Sequence, residues 1–171
     1  LVNYHLQGKP LVHVLQATKT KFVLVGEECL EPFIETPETQ QWPLWLIPDA
    51  ENPASPVQLA AFDREFSVEV DRAARTRPDA ALRAGIRAED DMLYIFTSGT
   101  TGLPKAARYS HMRWMSSGDV MVVTLDTSSD DVFYCCLPLY HGAAATSVVS
   151  TALASGAAIV IRRRFSASRF W

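Results

Sequence analysis

One stretch constrains the fold of this chain more than any other: the apolar run Met92-Leu93-Tyr94-Ile95-Phe96 gives way at once to Thr97-Ser98-Gly99-Thr100-Thr101-Gly102-Leu103-Pro104-Lys105. An unbroken apolar run of this length suits a strand buried on both faces, of the kind found in parallel sheets covered by helices. The stretch from Thr97 to Lys105 is unsuited to a core and well suited to an anion. Gly99 and Gly102 permit positive φ, so the backbone can turn N–H groups toward a ligand without a side chain blocking close approach. Thr97, Ser98, Thr100 and Thr101 add hydroxyl donors, and Lys105 adds a compact positive charge whose presentation Pro104 restricts. A charge-assisted hydrogen bond from such a lysine to phosphate contributes on the order of 1.5–3 kcal/mol. A flexible polar linker would account for the glycines and hydroxyls, but it needs neither the lysine nor the preceding buried strand.

The nucleotide loop G-x-x-x-x-G-K-[ST] of the common NTPases does not fit. Counted from Gly99, its second glycine falls on Pro104, and Ala106 follows the lysine. No helix starts at the loop either, since Lys105 to Tyr109 reads as extended and Ser110 is the N-cap of a helix reaching about Val123. Met112, Met115, Val122 and part of Trp114 form the expected inner side of that helix, and Gly118 weakens it slightly.

Elsewhere strands and helices alternate. Pro10 to Thr18 reads as a helix with Leu11, Val14, Leu15 and Thr18 along one side, and Lys21 to Val25 as a strand ended by Gly26. Leu30 to Glu35 reads as a further helical turn, Pro43 to Pro48 as a short extended segment, Asp49 to Gln58 as a surface loop, and Ser67 to Thr76 as helical. Asp131 to Leu137 is a second buried strand ended by Pro138, after which His141 and Gly142 form a turn. The order predicts an α/β architecture with a substantially parallel sheet, whose ligands bind at loops beyond the carboxyl ends of strands. The loops after Phe96 and after Leu137 are expected in that position.

Composition excludes several classes. A formal charge of −3 with intermixed signs gives no basic field for nucleic acid or an acidic membrane surface, so phosphate affinity has to be local. Cys29, Cys135 and Cys136 form no C-x-x-C pair and read as packing thiols. Ala143 to Ile161 carries no charge and runs into Arg162, Arg163 and Arg164, as a membrane span would. Gly156 breaks it and five serines and threonines make it polar, so helix, glycine stop and short strand is the better reading.

TSGTTGLPK resembles the AMP-binding signature of the adenylate-forming superfamily, which includes acyl-CoA synthetases, luciferases and peptide-synthetase adenylation domains. Leu137-Pro138-Leu139-Tyr140-His141-Gly142 resembles that superfamily's second motif, a histidine after an apolar strand and proline. Within the superfamily the chain is similar to the fatty acid transport proteins, or very-long-chain acyl-CoA synthetases. That likeness rests on Asn3-Tyr4 with Gly8-Lys9-Pro10-Leu11-Val12-His13, on Lys105-Ala106-Ala107, and on Phe165-Ser166-Ala167-Ser168-Arg169-Phe170-Trp171. Phe96 departs from the tyrosine frequent before the signature, which loses a hydroxyl and keeps the ring.

The resemblance implies ATP-dependent activation of a long or very-long-chain fatty acid through an acyl-adenylate to its coenzyme A thioester, with ATP, Mg²⁺ and coenzyme A as cofactors and co-substrates. It implies that Thr97, Ser98, Gly99, Thr100, Thr101, Gly102 and Lys105 hold the ATP phosphates, with Thr100 a contact of the bound Mg-ATP. Lys105 and His141 become the catalytic candidates. His141 is assigned positioning or polarising work near the acyl carboxylate, because a carboxylate already ionised at neutral pH needs no base. Tyr140 reads equally as a wall of the acyl pocket or as a core aromatic, and His5, His13 and His111, with no partner legible in the sequence, receive no role. The likeness further implies membrane association at the endoplasmic reticulum, peroxisome or plasma membrane, with the active site on the cytosolic side.

The chain opens at Leu1 and closes at Trp171 just after a helix start, so residues 1–171 read as part of a larger AMP-binding domain. The superfamily's glutamate motif for Mg²⁺, its ribose-binding aspartate and its small carboxyl-terminal domain with the adenylation lysine are not in this segment, and the segment alone is expected to be inactive. Alternative readings are adenylation of another acid without coenzyme A, a transporter without enzymatic work, and a binding module that holds nucleotide without chemistry.

Overall fold

The structure, a computed structural model, describes residues 1–49, 62–97 and 102–170. Residues 2–49, 62–82 and 102–104 group in one compact unit, and residues 83–97 and 105–170 in another.

The first unit opens with α1 (Gly8–Ala17), whose Leu11, Val14 and Leu15 are almost wholly buried, as their 3.6-residue spacing predicts. Strand β1 (Val23–Gly26) follows, then α2 (Glu31–Ile34) and β2 (Leu44–Ile47), and β2 pairs in parallel with both β1 and the short β3 (Arg64–Glu65). Burial alternates along β1 and β2, so Val23, Val25, Leu44 and Leu46 supply the core together with Leu30 and Phe33. Helix α3 (Phe66–Arg72) runs directly on from β3. The expected loop over Asp49 to Gln58 lies, apart from Asp49, outside the described residues.

The second unit departs from expectation at its first strand. β4 (Asp91–Thr97) pairs antiparallel with β5 (Lys105–Ser110), in register from Thr97↔Lys105 back to Asp91↔Ser110 across a bulge. The cause is length. Only residues 98–104 separate the strands, whereas a parallel crossover needs about a dozen residues or more. The phosphate-loop candidate is therefore the tip of a hairpin and not a loop between parallel strands. Nor is β4 buried on both faces: among its residues only Ile95 is buried, and Met92 is exposed.

Helix α4 (His111–Leu125) starts where the sequence places it, with Ser110 Oγ accepting from the Arg113 N–H. Its inward face is Trp114, Gly118, Met121 and Val122. Met112 and Met115, expected inside, are exposed, because the crossing with the next helix is centred on Gly118 and the covered stripe follows that crossing. β6 (Val132–Cys135) then leads into a helix, α5, π-helical over Ala143–Val149 and α-helical over Ser150–Ser155. Gly156 stops it at φ +78°, and β7 (Ala158–Ile161) lies parallel to β6. The helix, glycine stop and strand expected over residues 143–161 are thus present. The strand expected over residues 131–137 is shorter, and only Cys135 within it is buried. Among the described residues no helix is long and apolar enough to cross a membrane.

The α/β architecture with mostly parallel pairing holds among the described residues. Sheets β1-β2-β3 and β6-β7 are parallel, and the hairpin is the antiparallel exception.

Candidate phosphate-binding hairpin and histidine turn

The hairpin is held together below its tip. Arg108 Nε donates to both carboxylate oxygens of Asp91 at 2.9 Å, and Tyr94 Oη donates to Asp91 Oδ2 at 2.7 Å. The guanidinium bond above all, and then the phenol bond, hold the Asp91 carboxyl below its ordinary range, while the bond to Asp91 raises the Tyr94 phenol. Arg113 lies over the Tyr109 ring at 4.1 Å and pins β5 to the first turn of α4. Sequence reasoning missed these partners. Their signal is one acidic, one basic and one phenolic residue on two paired strands, Tyr94 standing opposite Arg108, and it becomes readable only once the hairpin register is known.

At the top of the ladder Thr97 and Lys105 stand opposite each other, with Thr97 Oγ1 3.5 Å from the Lys105 carbonyl. Lys105 is exposed and makes no ion pair among the described residues. Gly102 has φ +98°, and no heavy atom comes within 4 Å of where its Cβ would stand. Left-handed backbone beside open space fits the role expected of this glycine. Ser98, Gly99, Thr100 and Thr101, including the expected Mg-ATP contact at Thr100, lie outside the described residues. Among the described residues no three His, Cys, Asp or Glu side chains cluster as a metal centre requires.

The second motif belongs to the same unit as β4 and β5. His141 N–H donates to the Pro138 carbonyl at 2.9 Å to close the turn, and the His141 carbonyl accepts from the N–H groups of Ala144 and Ala145. A Cβ on Gly142 would stand 3.7 Å from Ile95 Cδ1, so the turn adjoins the strand that leads into the hairpin tip. The exposed His141 ring accepts from the Ala143 N–H through Nδ1 at 3.3 Å. An accepting Nδ1 places the proton of the neutral ring on Nε2, which leaves an N–H donor and no free basic nitrogen. That geometry suits orienting or polarising an oxygen and disfavours general-base work.

The sequence matches the family described as AMP-binding enzyme over residues 1–171. The chain belongs to the AMP-binding enzyme family. Among curated relatives it is 37% identical over 174 residues to the medium/long-chain-fatty-acid–CoA ligase FadD6 of Mycobacterium tuberculosis, covering all of this chain and 26% of that protein. It is 33% identical over 171 residues to long-chain fatty acid transport protein 1 of Rattus norvegicus, again covering all of this chain and 26% of the relative. The chain thus spans about a quarter of the length of the curated relatives it matches. Among solved structures its fold is similar to the inhibitor-bound N-terminal domain of FACL13 from Mycobacterium tuberculosis, with a TM-score of 0.69 and 20% identity over 99% of this chain and 39% of that one. The α/β fold expected from the resemblance is therefore that of the N-terminal domain of adenylate-forming enzymes, and the superfamily assignment made from the two motifs stands.

Proposed function

We propose that this AMP-binding enzyme segment carries the triphosphate-gripping part of a ligase that activates a long or very-long-chain fatty acid and delivers it to coenzyme A. The observation that carries the reading is the Thr97↔Lys105 pairing. Thr97 and Lys105, which carry a hydroxyl and an ammonium group, face each other across the base of a hairpin whose intervening sequence is rich in glycine and hydroxyl residues. The relatives' names support the acyl substrate.

In the proposed reaction a fatty acid carboxylate oxygen attacks the α-phosphorus of Mg-ATP, and pyrophosphate leaves with the electrons of the broken P–O bond. The thiolate of coenzyme A then attacks the acyl carbonyl and AMP leaves. The tip and Lys105 hold the β- and γ-phosphates, orient the leaving group and offset the charge that grows on it in the transition state. Thr97, Ser98, Gly99, Thr100, Thr101 and Gly102 supply the remaining donors. His141, with Nε2–H as its free donor, orients the acyl carboxylate. Residues 1–171 form part of the domain that does this, and the rest of the site comes from other parts of the full-length protein.

Thioester formation by the full-length protein tests the proposal. A fatty acyl-CoA product that requires ATP, with AMP and pyrophosphate released in equal amounts, is the expected result. Nucleotide binding without product identifies a binding module, and fatty acid transfer without ATP turnover identifies a transporter. Either outcome rejects the proposal.

A further inference from the structure

His13 lies on α1, ninety-one positions before the hairpin tip, yet its Nε2 is 3.0 Å from the Pro104 carbonyl oxygen. A carbonyl only accepts, so Nε2 carries the proton and donates. The bond acts on the residue immediately before Lys105. The pyrrolidine ring fixes φ of Pro104, and a hydrogen bond that fixes the direction of its carbonyl fixes ψ as well. Both soft dihedrals leading into Lys105 are then set, one by covalent structure and one by His13.

The anchor stands on a rigid element. Leu11, Val14 and Leu15 bury the opposite side of α1, and the Gly8 N–H at its start donates to Thr36 Oγ1 at 3.1 Å. Leu103, the tip residue before Pro104, lines a cleft of about 420 Å³ with Val12, His13, Gln16 and Thr36. The described part of the tip, Gly102 to Pro104, therefore groups with α1 and not with the strands that carry it.

We infer that His13 is a positioning residue for the phosphate loop, acting through the Pro104 carbonyl to aim Lys105 at the triphosphate. This rests on the proposed function for its consequence in catalysis, but the anchor itself can be tested without it.

Two substitutions in the full-length protein isolate the bond. His13→Gln presents an N–H donor at nearly the reach of Nε2, and His13→Asn keeps polarity on a half-buried helix position but falls one bond short. In hydrogen–deuterium exchange without nucleotide, the amides of Gly102, Leu103 and Lys105 are expected to exchange about tenfold faster in His13→Asn and within about threefold of wild type in His13→Gln, as loss of one hydrogen bond implies. In fatty acid-dependent ATP–pyrophosphate exchange, KM for Mg-ATP should rise about tenfold in His13→Asn alone, with KM for the fatty acid unchanged. If the two variants behave alike in amide exchange, whether both normal or both loosened, the anchor is refuted. If amide exchange separates them while KM for Mg-ATP does not, His13 holds the loop without serving ATP, and the inference fails at that step. A wild-type protein inert in pyrophosphate exchange rejects the proposed function, and the amide-exchange comparison still decides the anchor.

Discussion

Replacing Gly118 by alanine sets two well-characterised effects against each other. In the interior of α4, alanine is favoured over glycine by about 1 kcal/mol of helix propensity. Here, however, the added methyl would stand 2.5 Å from the Ser150 carbonyl oxygen, 2.8 Å from its carbonyl carbon and 3.2 Å from its Cβ. Ordinary contact begins at 3.4 Å, so the helices must separate by close to 0.9 Å (3.4 minus 2.5). The two nearest obstructing atoms are helix backbone and cannot rotate aside. Ser150, Thr151 and Ala152 are all buried, so moving α5 also disturbs a well-filled interior. Overpacking costs about 1–3 kcal/mol, and obstruction by backbone puts this site at about 2–3 kcal/mol, so after the propensity gain we expect a net loss of about 1–2 kcal/mol. Gly85, in a turn, is the unobstructed control, since no heavy atom lies within 4 Å of its Cβ position. Gly85→Ala should change stability by less than about 0.5 kcal/mol. Scanning calorimetry of the full-length protein should show Gly118→Ala lowering the transition of the domain that holds α4 and α5 by about 2–4 °C per kcal/mol. A transition unchanged or raised relative to Gly85→Ala would show that the close crossing stores no steric constraint.

Ser110→Ala should cost about 1 kcal/mol in urea unfolding, and Ser110→Asp should recover most of it, because the side chain caps α4 by accepting from the Arg113 N–H. Trp114→Phe removes the indole donor that reaches the Ala145 carbonyl at 2.9 Å in the π-helical part of α5, for a loss of about 1–3 kcal/mol by the same measurement. The Asp91 carboxyl, held below its ordinary value of 3.8, contributes stability that is present above that value and lost as pH falls through its lowered folded value. Asp91→Asn should accordingly flatten the acid limb of stability below about pH 4. The Tyr94 phenol, raised above its ordinary 10.0, contributes stability that is present below that value and lost as pH rises through the raised one. Tyr94→Phe should weaken the alkaline limb in a pH series of melting temperatures.

Features governed by neighbours in sequence were legible in advance. The apolar spacing of Leu11, Val14 and Leu15, the Ser110 cap, the Gly156 stop and the reading of residues 143–161 as helix and strand all depend on local periodicity or backbone freedom. The two motifs were readable for the same reason, since each is a contiguous string. The hairpin was not, although residues 98–104 are too few for a parallel crossover, because an apolar run signals burial and carries no information about connection length. The inner face of α4 differs from expectation because Met112 and Met115 are apolar but the crossing point is a glycine, which carries no hydrophobic signal. The His13–Pro104 bond joins positions ninety-one apart and leaves no trace in local pattern.

On the proposed reading, the hairpin tip that leads into Lys105 grips the triphosphate of ATP. Fatty acid-dependent ATP–pyrophosphate exchange by the full-length Lys105→Ala variant tests it most directly. Loss of one preorganised charged donor predicts exchange slowed by roughly a hundredfold or more. Exchange at the wild-type rate, at both limiting and saturating Mg-ATP, would contradict it.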